Sequence, residues 1–120
     1  MTDLDIIEQI EKKLKVKLEK LDKIEWSSRG YILNSDGQVR GLGLSGCEIE
    51  NLKGIISPLF TLTNLTQLDL SKSQVRDISL LSALTDLTQL DLSDNQITDI
   101  SPLSALTNLT QLYLIGNRVQ

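Results

Sequence analysis

Leucine and isoleucine recur through the second half of the chain with a period of 22 residues. Residues 62–83 read LTNLTQLDLSKSQVRDISLLSA and residues 84–105 read LTDLTQLDLSDNQITDISPLSA, and the two segments are identical at 16 positions. A third copy begins at Leu106 and continues for 15 residues to the last residue of the sequence. Self-similarity at one fixed period indicates that a single structural unit is stacked several times.

A degenerate copy precedes these three. In it, five positions align with the apolar and turn positions of the next copy: Val39, Leu42, Leu44, Cys47 and Ile49 match Leu65, Leu68, Leu70, Ser73 and Val75. Four extra residues then follow before the segment Ile56-Ser57-Pro58-Leu59 rejoins the pattern. The sequence therefore predicts about 3.5 repeats over residues 39–120, with the last repeat incomplete.

Each copy predicts the same three local features. Leu68 and Leu70 alternate with polar residues in the period of two that is typical of a strand. Asn95 follows the equivalent strand, where a side-chain amide can satisfy backbone groups at a turn. Ser57-Pro58 and Ser101-Pro102 place an N-capping serine before a proline, and the few residues that remain favour one 3₁₀ or α-helical turn.

The copies follow the scheme LxxLxxLxLxxNxIxxIxxLxx, which resembles the leucine-rich-repeat consensus. Within that family it is similar to the short 22-residue class of bacterial internalins and phosphatase-regulator-like repeats. The resemblance implies an α/β solenoid, a right-handed superhelix with parallel β-strands on its concave face. It also implies a module that binds another protein and is not an enzyme.

Residues 1–38 predict an N-terminal cap, which a solenoid needs because its open end exposes apolar core. Thr2 and Asp5 approximate a capping box, and apolar residues recur at helical spacing up to Leu21. The pattern leaves open whether this helix is continuous or broken near Lys15-Val16. Tyr31-Ile32-Leu33 and the segment from Val39 predict a β-hairpin, joined by an Asn34-Ser35-Asp36-Gly37 turn that lacks the ligand pattern of a calcium loop. Trp26, between helix and hairpin, is expected in the core.

The concave face that the resemblance implies presents the strand side chains that point away from the core. The first repeat contributes a nearly bare surface at Gly41 and Gly43, and a serine column continues through Ser45. Tyr113 and Ile115 break the polar consensus, which is typical either of a contact site or, in a truncated chain, of contact with the next repeat. The stacked pair Asp69 and Asp91 fits either a site for a cation or basic partner or ordinary solvated acids. The candidate partner-binding residues are Gln67, Asp69, Lys72, Gln89, Asp91, Asp94, Gln111, Tyr113 and Ile115.

Composition narrows the function. The chain has no histidine, so it lacks the residue that serves most often as general base and as metal ligand. The sequence also contains no Gly-rich phosphate loop, no metal-ligand spacing and no nucleophile with a plausible base. We therefore expect no catalytic residues, cofactor or metal. The net charge of −4 argues against nucleic acid or an anionic membrane as partner. Cys47 is the only cysteine, which predicts a small buried residue, and an acidic N-terminus without an apolar span predicts a cytoplasmic protein.

Two alternatives remain at this point. The N-terminal stretch IEKKLKVKLEKLDKIEW followed by GYILNSDGQVRGLGLSGC is loosely similar to bacterial Roco proteins, in which leucine-rich repeats precede a Ras-like GTPase. The chain would then be the sensor region of a larger signalling protein. The sequence also ends within a repeat, at Gln120. This end is expected either in a fragment of a longer protein or in a chain that self-associates through an open C-terminal face with Leu112, Leu114 and Val119.

Overall fold

The computed structural model describes residues 2–24, 28–49 and 52–119, so the expected core position of Trp26 lies outside the described residues. The elements follow the repeat pattern and alternate between strands on one side and short helical turns on the other. Helices are α1 (Asp3–Leu14) and α2 (Ile56–Thr61), and 3₁₀ turns are Leu52–Gly54, Ser79–Ala83 and Ser101–Ala105. Strands are β1 (Glu19–Lys20), β2 (Arg29–Leu33), β3 (Val39–Leu44), β4 (Gln67–Asp69), β5 (Gln89–Asp91) and β6 (Gln111–Tyr113).

The six strands form one sheet in the order β1-β2-β3-β4-β5-β6. β2 and β3 are antiparallel, and every other neighbouring pair is parallel. Leu42, Leu68, Leu90 and Leu112 lie side by side across β3 to β6. This register confirms the 22-residue alignment, including the degenerate first repeat, and the fold is a leucine-rich-repeat solenoid.

The core is a stack of aliphatic side chains between the sheet and the outer helical turns. Leu42 and Leu68 are at most 2% exposed, and so are Leu70, Leu90 and Leu92. A strand of three residues cannot bury its leucines alone, so each repeat depends on its neighbours for the apolar burial that stabilises it. Cys47 is also buried, as predicted, and burial raises the pKa of its thiol.

The asparagine of the repeat performs its predicted role at the turn after the strand. Asn95 is 6% exposed. Its Oδ1 accepts the backbone N–H groups of Ser73 and Val75, each at 3.0 Å. Its Nδ2 donates to the carbonyl oxygens of Leu70 and Leu92, each at 2.9 Å. One side chain thus connects two consecutive repeats.

The outer turns correct the expected serine caps. The first helical residues are Ile56 in α2 and Ser101 in the last 3₁₀ turn, and neither element has a side-chain bond from its N-cap. Instead, Asp99 Oδ1 accepts the N–H of Ser101 at 2.9 Å, and Asp77 does the same for Ser79. The serine cannot cap because it is already inside the turn and its own N–H needs the acceptor. These N–H bonds lower the pKa of Asp77 and Asp99.

The N-terminal helix begins as predicted but ends earlier. Thr2 caps α1, with a capping box in which Thr2 Oγ1 accepts the Asp5 N–H at 3.2 Å and Asp5 Oδ2 accepts the Thr2 N–H at 2.9 Å. The helix stops at Leu14 because Lys15 adopts a left-handed conformation with φ 56°. Of the two possibilities that the sequence left open, the structure has the break at Lys15, and the helical continuation to Leu21 is wrong.

Polar bonds attach α1 to the segment that follows it and to the first repeat. Glu11 Oε2 accepts the N–H of Leu18 at 2.8 Å, and Asp3 Oδ2 accepts the N–H of Val39 at 2.9 Å. The predicted hairpin is confirmed as β2 and β3. In its turn, Asn34 Oδ1 accepts the N–H groups of Asp36 and Gln38, so the asparagine serves the turn itself.

Candidate functional site

A groove of about 230 Å³ crosses the exposed face of the sheet over β4, β5 and β6. The strand register brings the glutamines of three repeats into one row and Asp69, Asp91 and Tyr113 into the next. Six of the nine predicted partner-binding residues therefore meet in one depression. The groove is lined by Ile24, Gln67, Leu68, Asp69, Gln89, Leu90, Asp91, Gln111 and Tyr113.

The two aspartates lie on the predicted face but are buried. Asp69 is 1% exposed and Asp91 is 8% exposed, so of the two alternatives for this pair the one of ordinary solvated acids is wrong. Each carboxylate accepts a hydrogen bond from the residue two positions later. Asp69 Oδ1 accepts the Ser71 N–H at 2.8 Å, and Asp91 Oδ1 accepts the Ser93 N–H at 2.9 Å. Burial raises the pKa of Asp69 although the bonds from Ser71 oppose it, and the neighbouring Asp91 raises it further.

The first repeat does not present the bare glycine surface that the sequence suggested. Gly41 and Gly43 are buried, because Ile32 and Ile24 lie against Gly41 and Ser28 lies against Gly43. A Cβ on Gly41 would be 2.9 Å from Ile24 Cγ1, and one on Gly43 would be 2.5 Å from the Ser28 carbonyl oxygen. Side chains are excluded here by close approach of another part of the chain.

The serine column also differs from its prediction as a surface. Ser45, Ser71 and Ser93 are at most 7% exposed. Ser71 and Ser93 follow strands that end at Asp69 and Asp91, after which the chain turns inward. Ser71 Oγ donates to Ser45 Oγ at 2.9 Å. Ser93 Oγ is buried and makes no hydrogen bond within the part of the chain that the structure describes.

Three predicted contact residues lie outside the groove. Lys72 and Asp94 are exposed and adopt left-handed conformations, with φ 56° and 57°, in the turns that follow β4 and β5. Ile115 belongs to the column of the buried Ser71 and Ser93, but after β6 it is 69% exposed. These side chains border the sheet rather than line the groove.

Sequence reasoning missed Ile24, which forms one wall of the groove. It lies far from the repeats in sequence and has no repeat equivalent. The available signal was Gly41 and Gly43, since two glycines in columns that elsewhere carry Gln and Asp indicate that something covers them.

The C-terminal edge of the sheet carries several exposed apolar side chains. Leu112 is 38% exposed and Val119 is 39% exposed, whereas their counterparts Leu90 and Ile97 are at most 1% exposed. Self-association through this edge stays a prediction.

Neither a membrane-spanning helix nor a cluster of metal ligands is present in the part of the chain that the structure describes. No described helix has the length and apolar character needed to cross a bilayer. Within residues 2–24, 28–49 and 52–119, no three His, Cys, Asp or Glu side chains are grouped so that they could hold a metal ion.

Comparison with known proteins supports the repeat assignment. A family model of leucine-rich repeats in two copies matches residues 63–103 and 85–120. An internalin (inlF) from Listeria monocytogenes is 28% identical with a TM-score of 0.62, over 89% of this chain and 30% of the internalin. An internalin C2 from the same species is 26% identical with a TM-score of 0.49, over 89% of this chain and 45% of the other. The chain thus spans less than half the length of these structures, and no curated protein matches it.

Proposed function

Since this chain belongs to the leucine-rich-repeat proteins, we propose that it binds another protein in the concave groove over β4, β5 and β6. Folds of this internalin-like kind generally mediate protein–protein interaction and are typically not enzymes. The groove supports the proposal because it collects six of the residues that the repeat register places on the concave face.

The groove also has the mixed chemistry that is typical of a protein-binding surface. Gln67 and Gln89 are half-buried, and Gln111 is exposed, so their amides can offer donors and acceptors to a partner. Tyr113 is 40% exposed at the C-terminal end of the groove, and Ile24 contributes an apolar wall at the other end. Aromatic residues at such positions often supply much of the binding energy.

The test is affinity capture of partners, followed by measured dissociation constants for groove and outer-face variants. Gln89→Arg places a long charged side chain in the middle of the groove, and Tyr113→Ala removes its aromatic end. Phe60→Ala is the matched control, because Phe60 is an aromatic residue of the outer helix α2 and is 61% exposed.

We expect each groove variant to weaken binding by at least about tenfold, in the range found for interface hot spots, and Phe60→Ala to leave it unchanged. A partner that binds both groove variants with wild-type affinity would exclude the concave groove as its site.

A further inference from the structure

Asp69 and Asp91 are equivalent carboxylates on adjacent strands, since the β4–β5 register pairs them directly. In both, Oδ1 accepts the N–H of the serine two residues later. Their second oxygens differ. Asp69 Oδ2 accepts the backbone N–H of Ser28 at 2.9 Å, whereas Asp91 Oδ2 accepts no hydrogen bond from any residue that the structure describes. The same carboxylate oxygen therefore accepts a hydrogen bond at Asp69, which we call the filled acceptor, and none from the described residues at Asp91, which we call the unfilled acceptor.

The unfilled oxygen belongs to a side chain that is buried and lines the groove. Asp91 is only 8% exposed, between Gln89 and Gln111 in the groove wall. Among the described residues only Ser93 Oγ is a fully buried side-chain polar atom without a hydrogen bond, so Asp91 Oδ2 is reached from the groove although most of its side chain is covered. An acceptor that opens into the groove can therefore take a donor from a bound ligand.

The charge of the groove indicates what kind of donor fits. Asp69 and Asp91 line it, and no described lining residue is a lysine or arginine. Burial raises the pKa of Asp69, and the charge of the neighbouring Asp91 raises it further. The groove therefore disfavours the negative charge on Asp69. A neutral donor, like the Ser28 N–H on Asp69, would offset part of the desolvation of Asp91, whereas a cation would also offset the repulsion between the two carboxylates.

The contact between Ser28 and Asp69 shows what kind of group the concave face accommodates. Ser28 meets Asp69 through its main chain, and its carbonyl oxygen accepts the N–H of Ser45 at 3.1 Å. Polypeptide backbone therefore already lies on the concave face at the first repeat, where Gly43 makes room for it. The groove over the next two repeats continues that surface.

We propose that the groove binds an extended basic polypeptide segment, which donates a lysine or arginine side chain to Asp91 Oδ2. This inference rests on the proposed function, since it specifies the partner of the same groove. The ligand would occupy at β5 the position that Ser28 occupies at β4.

The test is selection of a displayed random-peptide library on the immobilised full chain, using wild type, Asp91→Asn and Asp86→Asn. Asn at 91 keeps an oxygen for the Ser93 N–H but removes the charge and presents an amide donor. Asp86→Asn is the matched control: it removes the same charge from an exposed position where the next repeat already carries Asn108.

We expect lysine and arginine to be enriched in peptides selected on wild type and on Asp86→Asn. The affinity of a selected peptide should fall at least about tenfold on Asp91→Asn, as expected when a buried charge pair loses one partner. A second measurement needs no protein variant: replacing the basic residue of that peptide by norleucine should weaken binding to wild type to a similar extent.

Other results would overturn the inference in distinguishable ways. Selected peptides that lack basic residues but lose affinity on Gln89→Arg would refute the basic ligand and leave the groove as the binding site. Peptides that bind Asp91→Asn and Gln89→Arg as well as wild type would contradict both proposals. Failure to enrich any peptide would refute the extended-segment ligand, and the captured-partner experiment would then decide the function separately.

Discussion

Asn95→Ala should be among the most destabilising single truncations of a polar side chain in the repeats. The side chain is 6% exposed and bridges two repeats, because its Oδ1 accepts two backbone N–H groups and its Nδ2 donates to two carbonyl oxygens of consecutive repeats. Alanine would leave the N–H groups of Ser73 and Val75 buried without an acceptor.

The magnitude follows from those two donors. Each buried group left unsatisfied costs about 1–3 kcal/mol, so the variant should lose about 2–6 kcal/mol of unfolding free energy. Asn117→Ala should cost less, about 1–2 kcal/mol, since Asn117 is only partly buried and its Oδ1 accepts one N–H, that of Ile97. Asn108→Ala removes one exposed bond, to the Thr85 carbonyl, and should change stability by less than about 0.5 kcal/mol.

The assay is urea-induced unfolding followed by circular dichroism, with the denaturant slope compared among the three variants to verify that the same transition is measured. The expected order of destabilisation is Asn95, then Asn117, then Asn108. If Asn95→Ala were no more destabilising than Asn108→Ala, the asparagine bonds would contribute no net stability and the reasoning would be refuted.

Two further predictions concern the cover over the first repeat and the outer turns. Gly43→Ala should destabilise the fold by about 1–3 kcal/mol, since the new Cβ would lie 2.5 Å from the Ser28 carbonyl oxygen. The control is Gly54→Ala, whose new Cβ would meet no atom within 4 Å. It should be neutral or slightly stabilising in the same urea titration. Equal effects of the two substitutions would argue against close packing at Ser28. Asp99→Ala should lower the melting temperature near neutral pH, and the difference from wild type should vanish on acidification. The pKa of Asp99 is lowered in the folded chain by the Ser101 N–H, so its contribution is present above the unfolded pKa of about 3.9 and is lost as the pH falls through the folded value. Asp86→Ala, another exposed acid of the repeats, should show no such pH-dependent loss; a pH-independent effect of Asp99→Ala would contradict the capping role.

The repeat determined most of the fold from sequence alone. The spacing of leucines specified which side chains face the core, because a one-residue shift of a short strand would turn its leucines into solvent. The same spacing placed Gln67, Gln89 and Gln111 in one row, and it identified the turn role of Asn95. These features depend on positions within one repeat, and they recur in the later copies, whereas the first copy has Gly41 in the glutamine row and Cys47 in the asparagine column.

Only the tertiary structure decided what happens where the repeat meets the N-terminal cap. Ile24 and Ser28 approach β3 and β4 through contacts that have no sequence period, so the sequence showed Gly41 and Gly43 as bare and Asp69 as exposed. Alternation also could not reveal that the strands end at Asp69 and Asp91, after which the chain turns and buries its serines. The repeat therefore specifies the floor of the groove. Long-range packing supplies its wall at Ile24 and the Ser28 N–H that donates to Asp69, whereas the equivalent oxygen of Asp91 receives no such donor from the described residues.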